Sequence, residues 1–320
     1  MKRYILQFLP ITLLCCLGSL QAQDEAVFSH YNLNPVLINP AAAGFDDVHQ
    51  ILFNARAQWT SFPDAPKTVG VQYNGPIGNV FGFGIGVVTE SAARMTRFRA
   101  RMNSGFRFSV GDNAKLAAGF SFEFHQMSIG NNIFGQDLYE IGDDIVEAAV
   151  DGRNEFDASL GVFGRFGQEQ NTFAGFTFIN MVRSRLDDIV VSEQSGNTIF
   201  SHYVFLAGHN FKFDDAGFSL EPSVMFRQVL DAPFQADFNV KAGFLEDRVV
   251  AGLSYRTLGV IGVLLGGELR FGNQSGPVDD RSAVNLFYTF DLSTQEFQQF
   301  TSGSHEITLA FGFNRRNQRR

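Results

Sequence analysis

Six histidines, His30, His49, His125, His202, His209 and His305, are the first residues in which metal or proton chemistry could reside. None forms an HxxxH pair or stands near a carboxylate at ligand spacing, so they read as polar residues of a surface or a lumen. The stretch QDLYEIGDDIVEAAVDGRNE, 136–155, gathers Asp137, Glu140, Asp143, Asp144, Glu147, Asp151 and Glu155. A calcium loop would alternate its acids and close on Gly and Glu. This stretch does neither and reads as a short exposed acidic helix. No GxSxG elbow, phosphate-binding loop or dinucleotide motif occurs, and the expectation is a protein without enzyme activity, metal or cofactor. What remains is a cationic strip, Arg97, Arg99, Arg101 and Arg107, in RFRARMNSGFRFSV, 97–110.

The arginines alternate with Phe98, Ala100, Met102, Phe106, Phe108 and Val110, a period of two. A strand of that length would reach roughly 45 Å, well beyond an ordinary globular strand. The pattern recurs in KLAAGFSFEF, FDASLGVFGRF and FSLEPSVMFRQ. In all, fourteen strands are expected, near 49–59, 67–75, 80–89, 95–110, 114–127, 155–166, 171–181, 201–213, 217–228, 234–243, 248–256, 259–271, 282–292 and 304–313. Tight turns such as GPIGN, VGDN, GQEQ and DDAG lie at one end. Mostly longer connections, including 128–154 and 182–200, lie at the other.

An even number of amphipathic strands with alternating short and long connections predicts a transmembrane antiparallel β-barrel of the outer membrane. A soluble sandwich or propeller also alternates, but it would bury its 36 Phe in fully apolar central strands, and here a polar face persists in nearly every strand. No segment after the first residues approaches 18 consecutive apolar residues, so spanning helices are not expected. The Phe face is assigned to lipid and the Arg face to the lumen, since an arginine facing lipid at the midplane costs about 2–4 kcal/mol. The strip reads as structural lumen salt bridges, with Glu123, Asp157, Glu221 and Glu268 as available partners, ahead of an anion-selective strip.

Lys2 and Arg3, the apolar run Tyr4 to Leu17 and a small-residue site ending at Ala22 predict a cleaved signal peptide, residues 1–22. Cys15 and Cys16 leave with it, and neither follows the small residue expected before a lipidated cysteine. Cleavage takes the formal charge from −8 to −10, which argues against nucleic acid as a partner. Residues 23–48 are expected to form an extended Asn-Pro segment in the lumen or at its periplasmic mouth. The barrel is expected over 49–313 and a basic tail over 314–320, with both termini periplasmic.

Three stretches stand apart from a generic barrel pattern: QDEAVFSHYNLNPVLINPAAAGF, 23–45; ARAQWTSFPDAPKT, 55–68; and GSHEITLAFGF, 303–313. Together they resemble the PorP/SprF family of the type IX secretion system of Bacteroidetes. The matching positions are Gln23, Asp24, Phe28, Ser29, Tyr31, Asn34, Pro35, Asn39, Pro40, Ala41, Ala43 and Gly44, then Arg56, Gln58, Trp59, Phe62, Ala65 and Pro66, and finally Ser304, His305, Glu306 and Ile307. Ser61, where a Gly is common, and the tail NRRNQRR depart from the pattern. The resemblance implies an integral outer-membrane barrel that assists export and surface anchoring of a partner, an adhesin or gliding-motility cargo, through that partner's C-terminal domain. It also implies contact with other type IX components or a peptidoglycan-associated protein. The partner-binding or plug residues it nominates are Phe28, Tyr31, Asn34, Pro35, Asn39, Pro40, Gly44 and Trp59. Two other functions stay open: a transport pore for small or hydrophobic molecules, which needs an apolar lumen pocket, and a tether to peptidoglycan through Arg315, Arg316, Arg319 and Arg320.

Overall fold

The structure, a computed structural model, describes residues 28–93, 95–130, 153–182, 202–229, 233–257, 259–271, 282–294 and 300–313. The expected signal peptide, most of the acidic stretch and of both long loops, and the basic tail lie outside the described residues. Alternation of side chains becomes strands β1 His49–Ala57, β2 Lys67–Ile77, β3 Phe81–Ala92, β4 Met95–Ser109 and β5 Ala114–Ile129. They continue as β6 Arg153–Phe166, β7 Thr172–Phe178, β8 His202–His209, β9 Phe211–Phe213 and β10 Phe218–Val229. The last are β11 Gln235–Phe244, β12 Val249–Arg256, β13 Val260–Phe271, β14 Ser282–Ser293 and β15 Ser304–Phe313.

Each strand pairs antiparallel with its neighbours, and β1 pairs with β15 from His49 opposite Phe313 to Ala57 opposite His305, closing the sheet on itself. Strands β8 and β9 lie along β10 in one register, Gly208 opposite Ser223 and Phe211 opposite Leu220. They are one wall strand interrupted at Asn210. The wall is thus a closed barrel of fourteen strands, one of them interrupted, and no backbone edge is left facing hydrocarbon.

The two faces separate as the pleat requires. Phe106 is 57% exposed and Phe120 51%, on the outside, whereas Arg107 is 2% exposed and Glu123 3%, inside. A slip of one residue would exchange these faces, so burial pins the register. Within the lumen, however, part of the side facing β6 to β10 is apolar. Phe163, Phe173, Val204, Leu206 and Met225 point inward and are buried against residues of the N-terminal segment, including Val36, Ile38 and Ala41. The expectation of a charged lumen face is corrected here: between its polar residues this wall also carries an apolar core.

Strand β7 also ends three residues earlier than its pattern predicts. Asn180 takes a left-handed φ of 54°, Met181 N–H donates to the Ala158 carbonyl at 3.0 Å and Val182 N–H to Asp157 Oδ1 at 3.0 Å. Ile179 N–H still donates to the His202 carbonyl at 3.1 Å, and Ile179 and Asn180 line a lumen cavity.

Candidate functional site

Residues 28–45 form a plug inside the barrel. Extended backbone is confined mainly to the residues before proline, Asn34 at φ −141°, ψ 89° and Asn39 at φ −141°, ψ 114°. Each proline then starts a single 3-10 turn, Pro35–Leu37 and Pro40–Ala42, after an earlier one at Ser29–Asn32. The expectation of an extended segment is therefore corrected to a chain of turns. Proline forbids helix to the residue before it but suits the first helical position, and the Asn side chain caps the turn that follows. Val36 N–H donates to Asn34 Oδ1 at 3.3 Å and Ala41 N–H to Asn39 Oδ1 at 2.9 Å.

The wall is shaped to receive this segment. Gly82, Gly105, Gly119 and Gly161 stand directly opposite one another across β3, β4, β5 and β6, a row of bare backbone on the lumen side. A Cβ on Gly82 would overlap the Ala43 carbonyl, one on Gly119 would lie 2.5 Å from Ala41 Cα, and one on Gly161 would overlap the Asn39 carboxamide. Asn39 Nδ2 donates to the Val162 carbonyl at 2.8 Å beside this row. Gly44 has φ +62°, and its own Cβ would collide with the Gly75 carbonyl, so the plug leaves the row through a position only glycine fills without strain.

Charged groups fasten the plug at three places. At the seam where β1 meets β15, Arg56 donates to Glu306 Oε2 at 2.8 Å, to Asp291 Oδ2 at 2.7 Å and to Ser29 Oγ at 2.6 Å. Glu306 also accepts the backbone N–H groups of Ser29, at 2.8 Å, and His30, at 3.2 Å. The His30 ring lies between Thr308 Oγ1 and Thr289 Oγ1, and burial pushes its imidazole below the ordinary value against the pull of Glu306. At the second place, Tyr31 donates its hydroxyl to Asp237 Oδ2 at 3.0 Å and accepts from Asn239 Nδ2 at 3.0 Å, while Arg256 holds Asp237 at 3.1 Å. Burial, and then the Asp237 charge, push the Tyr31 hydroxyl well above the ordinary phenol value. At the third, Arg107 donates to the Gly44 carbonyl at 2.6 Å and Lys115 to the Phe45 carbonyl at 2.6 Å, and both reach Asp47. Burial opposes it, but these two cations hold the Asp47 carboxyl below the usual range.

The arginine strip consequently divides its work. Arg107 fastens the plug's end, and Arg101 donates to the Leu37 carbonyl at 2.9 Å and to Glu123 at 3.0 Å. Arg99 lines a lumen cavity, and Arg97 lies 3.9 Å from Glu90 near the end with the long connections. Of the acids expected to pair with the strip, Glu221 is instead bonded to Lys241 at 2.8 Å and Glu268 to Arg270. They sit on strands across the barrel, which alternation alone cannot reveal.

Phe28, Tyr31, Asn34, Pro35, Asn39, Pro40 and Gly44 all lie on the plug. Trp59 does not: it follows β1 with φ 48°, is 40% exposed, and its N–H donates to Ser304 Oγ at 3.0 Å. The residues not singled out beforehand are the wall's half of the site. Arg56 and Glu306 are among the matching motif positions without having been nominated as site residues, whereas Asp237, Asn239, Arg256, Asp291 and the glycine row carry no local signal. Among the described residues no group of three or more His, Cys, Asp or Glu is arranged to hold a metal. No described helix is long and apolar enough to cross a membrane.

The same closed architecture occurs in solved outer-membrane proteins. A FadL homologue of Pseudomonas aeruginosa is 12% identical with a TM-score of 0.50, over 86% of this chain and 92% of that one. The P. putida toluene transporter TodX is 12% identical with a TM-score of 0.50, over 88% and 94%. A TodX deltaS2S3 mutant, a monoaromatic hydrocarbon channel, is 10% identical with a TM-score of 0.52, over 91% and 95%. At such identity the likeness shows the fold alone. No curated protein matches the chain significantly. The family model for the type IX secretion system membrane protein PorP/SprF matches residues 20–311, nearly the whole chain, covering the first two motif stretches and the third up to residue 311. This chain is an outer-membrane β-barrel that belongs to the PorP/SprF family of type IX secretion system membrane proteins.

Proposed function

We propose that the protein is a non-enzymatic barrel that assists export and surface anchoring of a partner protein, an adhesin or gliding-type cargo, by holding the partner's C-terminal domain. The family supplies the secretion context. The plug supplies the observation that carries the reading: a segment anchored to β1, β4, β11, β14 and β15 by side-chain hydrogen bonds occupies the lumen, which suits holding a partner better than conducting a solute. The chain is placed with both termini in the periplasm after signal-peptide cleavage, so that the long connections face outward to the partner. Contact with other type IX components and with a peptidoglycan-associated protein belongs to the same reading.

The test is affinity capture of the tagged barrel from native outer membranes, followed by mass spectrometry. Recovery of a large surface protein with its C-terminal domain supports the proposal. Recovery of the barrel alone, with small molecules in its lumen, overturns it in favour of a transport pore. One observation does favour that second reading, the partly apolar lumen cavity between the plug and the wall. Conduction would require the plug to leave, so single-channel recordings that show spontaneous solute-sized openings would support the pore.

A further inference from the structure

A second cavity, of about 240 Å³, extends from the plug down the lumen to the tight turn between β11 and β12, where Gly243 and Asp247 line it. His30, Leu33 and Asn34 close it on the plug side. One water occupies about 10–15 Å³ of such space, so the cavity admits on the order of ten to twenty heavy atoms, the size of a single sugar ring. Its charged groups already have partners. Lys241 lies 2.8 Å from Glu221, Glu268 is bonded to Arg270, and Asp247 accepts from the Ser219 hydroxyl. With these pairs made, the lining does not select an ion by charge.

One side of the cavity is a contiguous patch of wall across β13, β14, β15 and β1. Phe287 stands opposite Gly266, and Asn285, on the same face of β14, stands opposite Glu268. A Cβ on Gly266 would overlap the Phe287 ring, so the ring rests on bare backbone. Asn285 and Glu268 leave the wall from adjacent strands, with Cβ atoms about 4.5–5.5 Å apart. Beyond β14, Ala310 stands opposite Asn285 and Gly312 opposite Gln50, so only small residues separate the two amides. Among the described residues Asn285 has no side-chain hydrogen bond, and Gln50 has one, from Asn74 Nδ2 at 3.5 Å. Phe287, Asn285, Glu268 and Gln50 are all partly exposed, which leaves them surface to offer a ligand.

We propose that this cavity binds one neutral saccharide residue, the end of a glycan that enters from the side of the tight turns. The apolar face of the sugar ring stacks on Phe287, two adjacent hydroxyls meet Glu268 and Asn285, and Gln50 takes a third polar group. A hydroxyl both donates and accepts, so neighbouring hydroxyls satisfy a carboxylate, which only accepts, and an amide, which does both. A hydrocarbon would leave these groups unpaired, and an ion would find no unopposed charge. The plug ends the cavity, so the glycan stops beneath His30 and Leu33. The assignment stands apart from the partner that the outward connections hold.

The experiment uses the full barrel in a detergent without a sugar headgroup and follows the anisotropy of fluorescein-labelled chitotetraose and maltotetraose. At least one of the two should bind saturably and be displaced by its unlabelled form. Tighter binding of chitotetraose assigns an acetamido glycan such as that of the cell wall, and tighter binding of maltotetraose a plain hexose chain; either supports the site. Phe287→Leu and Asn285→Leu, with heat-modifiable folding intact, should each weaken binding about tenfold, as loss of one good contact does. Gly266→Ala, which drives the ring from its seat, should weaken it too, whereas Tyr288→Leu, on the outer face of the same strand, should leave it unchanged. Three results would overturn the assignment: no saturable binding of either tetrasaccharide, wild-type affinity in both Phe287→Leu and Asn285→Leu, or displacement by tetraalanine as readily as by the unlabelled sugar. The last would give the cavity to a peptide.

Discussion

Replacing Arg56 by Met tests whether the seam latch stabilises the barrel. The Arg56 side chain is 5% exposed, and the carboxylates it holds are 3% exposed at Asp291 and 0% at Glu306. Removing one partner from a buried ion pair costs about 3–5 kcal/mol, because the remaining charge stays buried without compensation. Ser29 and His30 N–H groups still satisfy part of Glu306. The expected loss is therefore near the lower bound, about 3 kcal/mol, or roughly a hundredfold in the folded-to-unfolded ratio. With a denaturant slope of about 2 kcal/mol/M, the urea midpoint falls by about 1.5 M. Trp59 is the only tryptophan and its backbone N–H donates to Ser304 Oγ, so its fluorescence reports on this seam during unfolding in micelles. Arg56→Met/Glu306→Gln should be less damaging than the sum of its single changes by about 1 kcal/mol, since one of the stranded charges is gone. A wild-type midpoint for Arg56→Met, or strict additivity in the pair, refutes the latch.

Three further outcomes follow from the same geometry. Gly82→Val, whose added carbons meet the Ala43 carbonyl, should expel the plug and expose residues 28–45 to added protease, whereas Gly105→Ala, with 3.2 Å to the Ala41 oxygen, should keep most of the protection. Phe120→Arg turns a cation to lipid at a cost of about 2–4 kcal/mol and should impair assembly, while Arg99→Leu should be mild for folding; heat-modifiable migration on gels reads both, and the reverse order would mean the faces are misassigned. Acidification should loosen the plug. His30 has its pKa lowered from 6.5 in the docked state, with Glu306, Asp291 and Arg56 facing it, so the released segment binds the proton more readily. The docked state is then fully favoured above pH 6.5 and loses stability as pH falls below that value, a slope in protease protection that His30→Gln should flatten.

Much of the molecule was legible without coordinates because strand alternation is a local property. Phe106 and Phe120 outward and Arg107 and Glu123 inward follow from a period of two and the cost of turning a charge to hydrocarbon, and closure follows from the need to pair every strand edge. The two Asn-Pro steps likewise announced that residues 34 and 39 would be extended. Tertiary structure alone decided where that segment goes and what holds it. Ser29 and Glu306 are 277 residues apart, and Tyr31 and Asp237 are 206 apart; such contacts exist only after the barrel closes in one register. The glycine row has the same origin: Gly82, Gly105, Gly119 and Gly161 are unremarkable in their own strands and become a shelf only when three registers align them. The inward face of Phe163, Leu206 and Met225 was hidden for a related reason, since an apolar lumen residue is stable only against another apolar surface, and the plug that provides it comes from the far end of the chain.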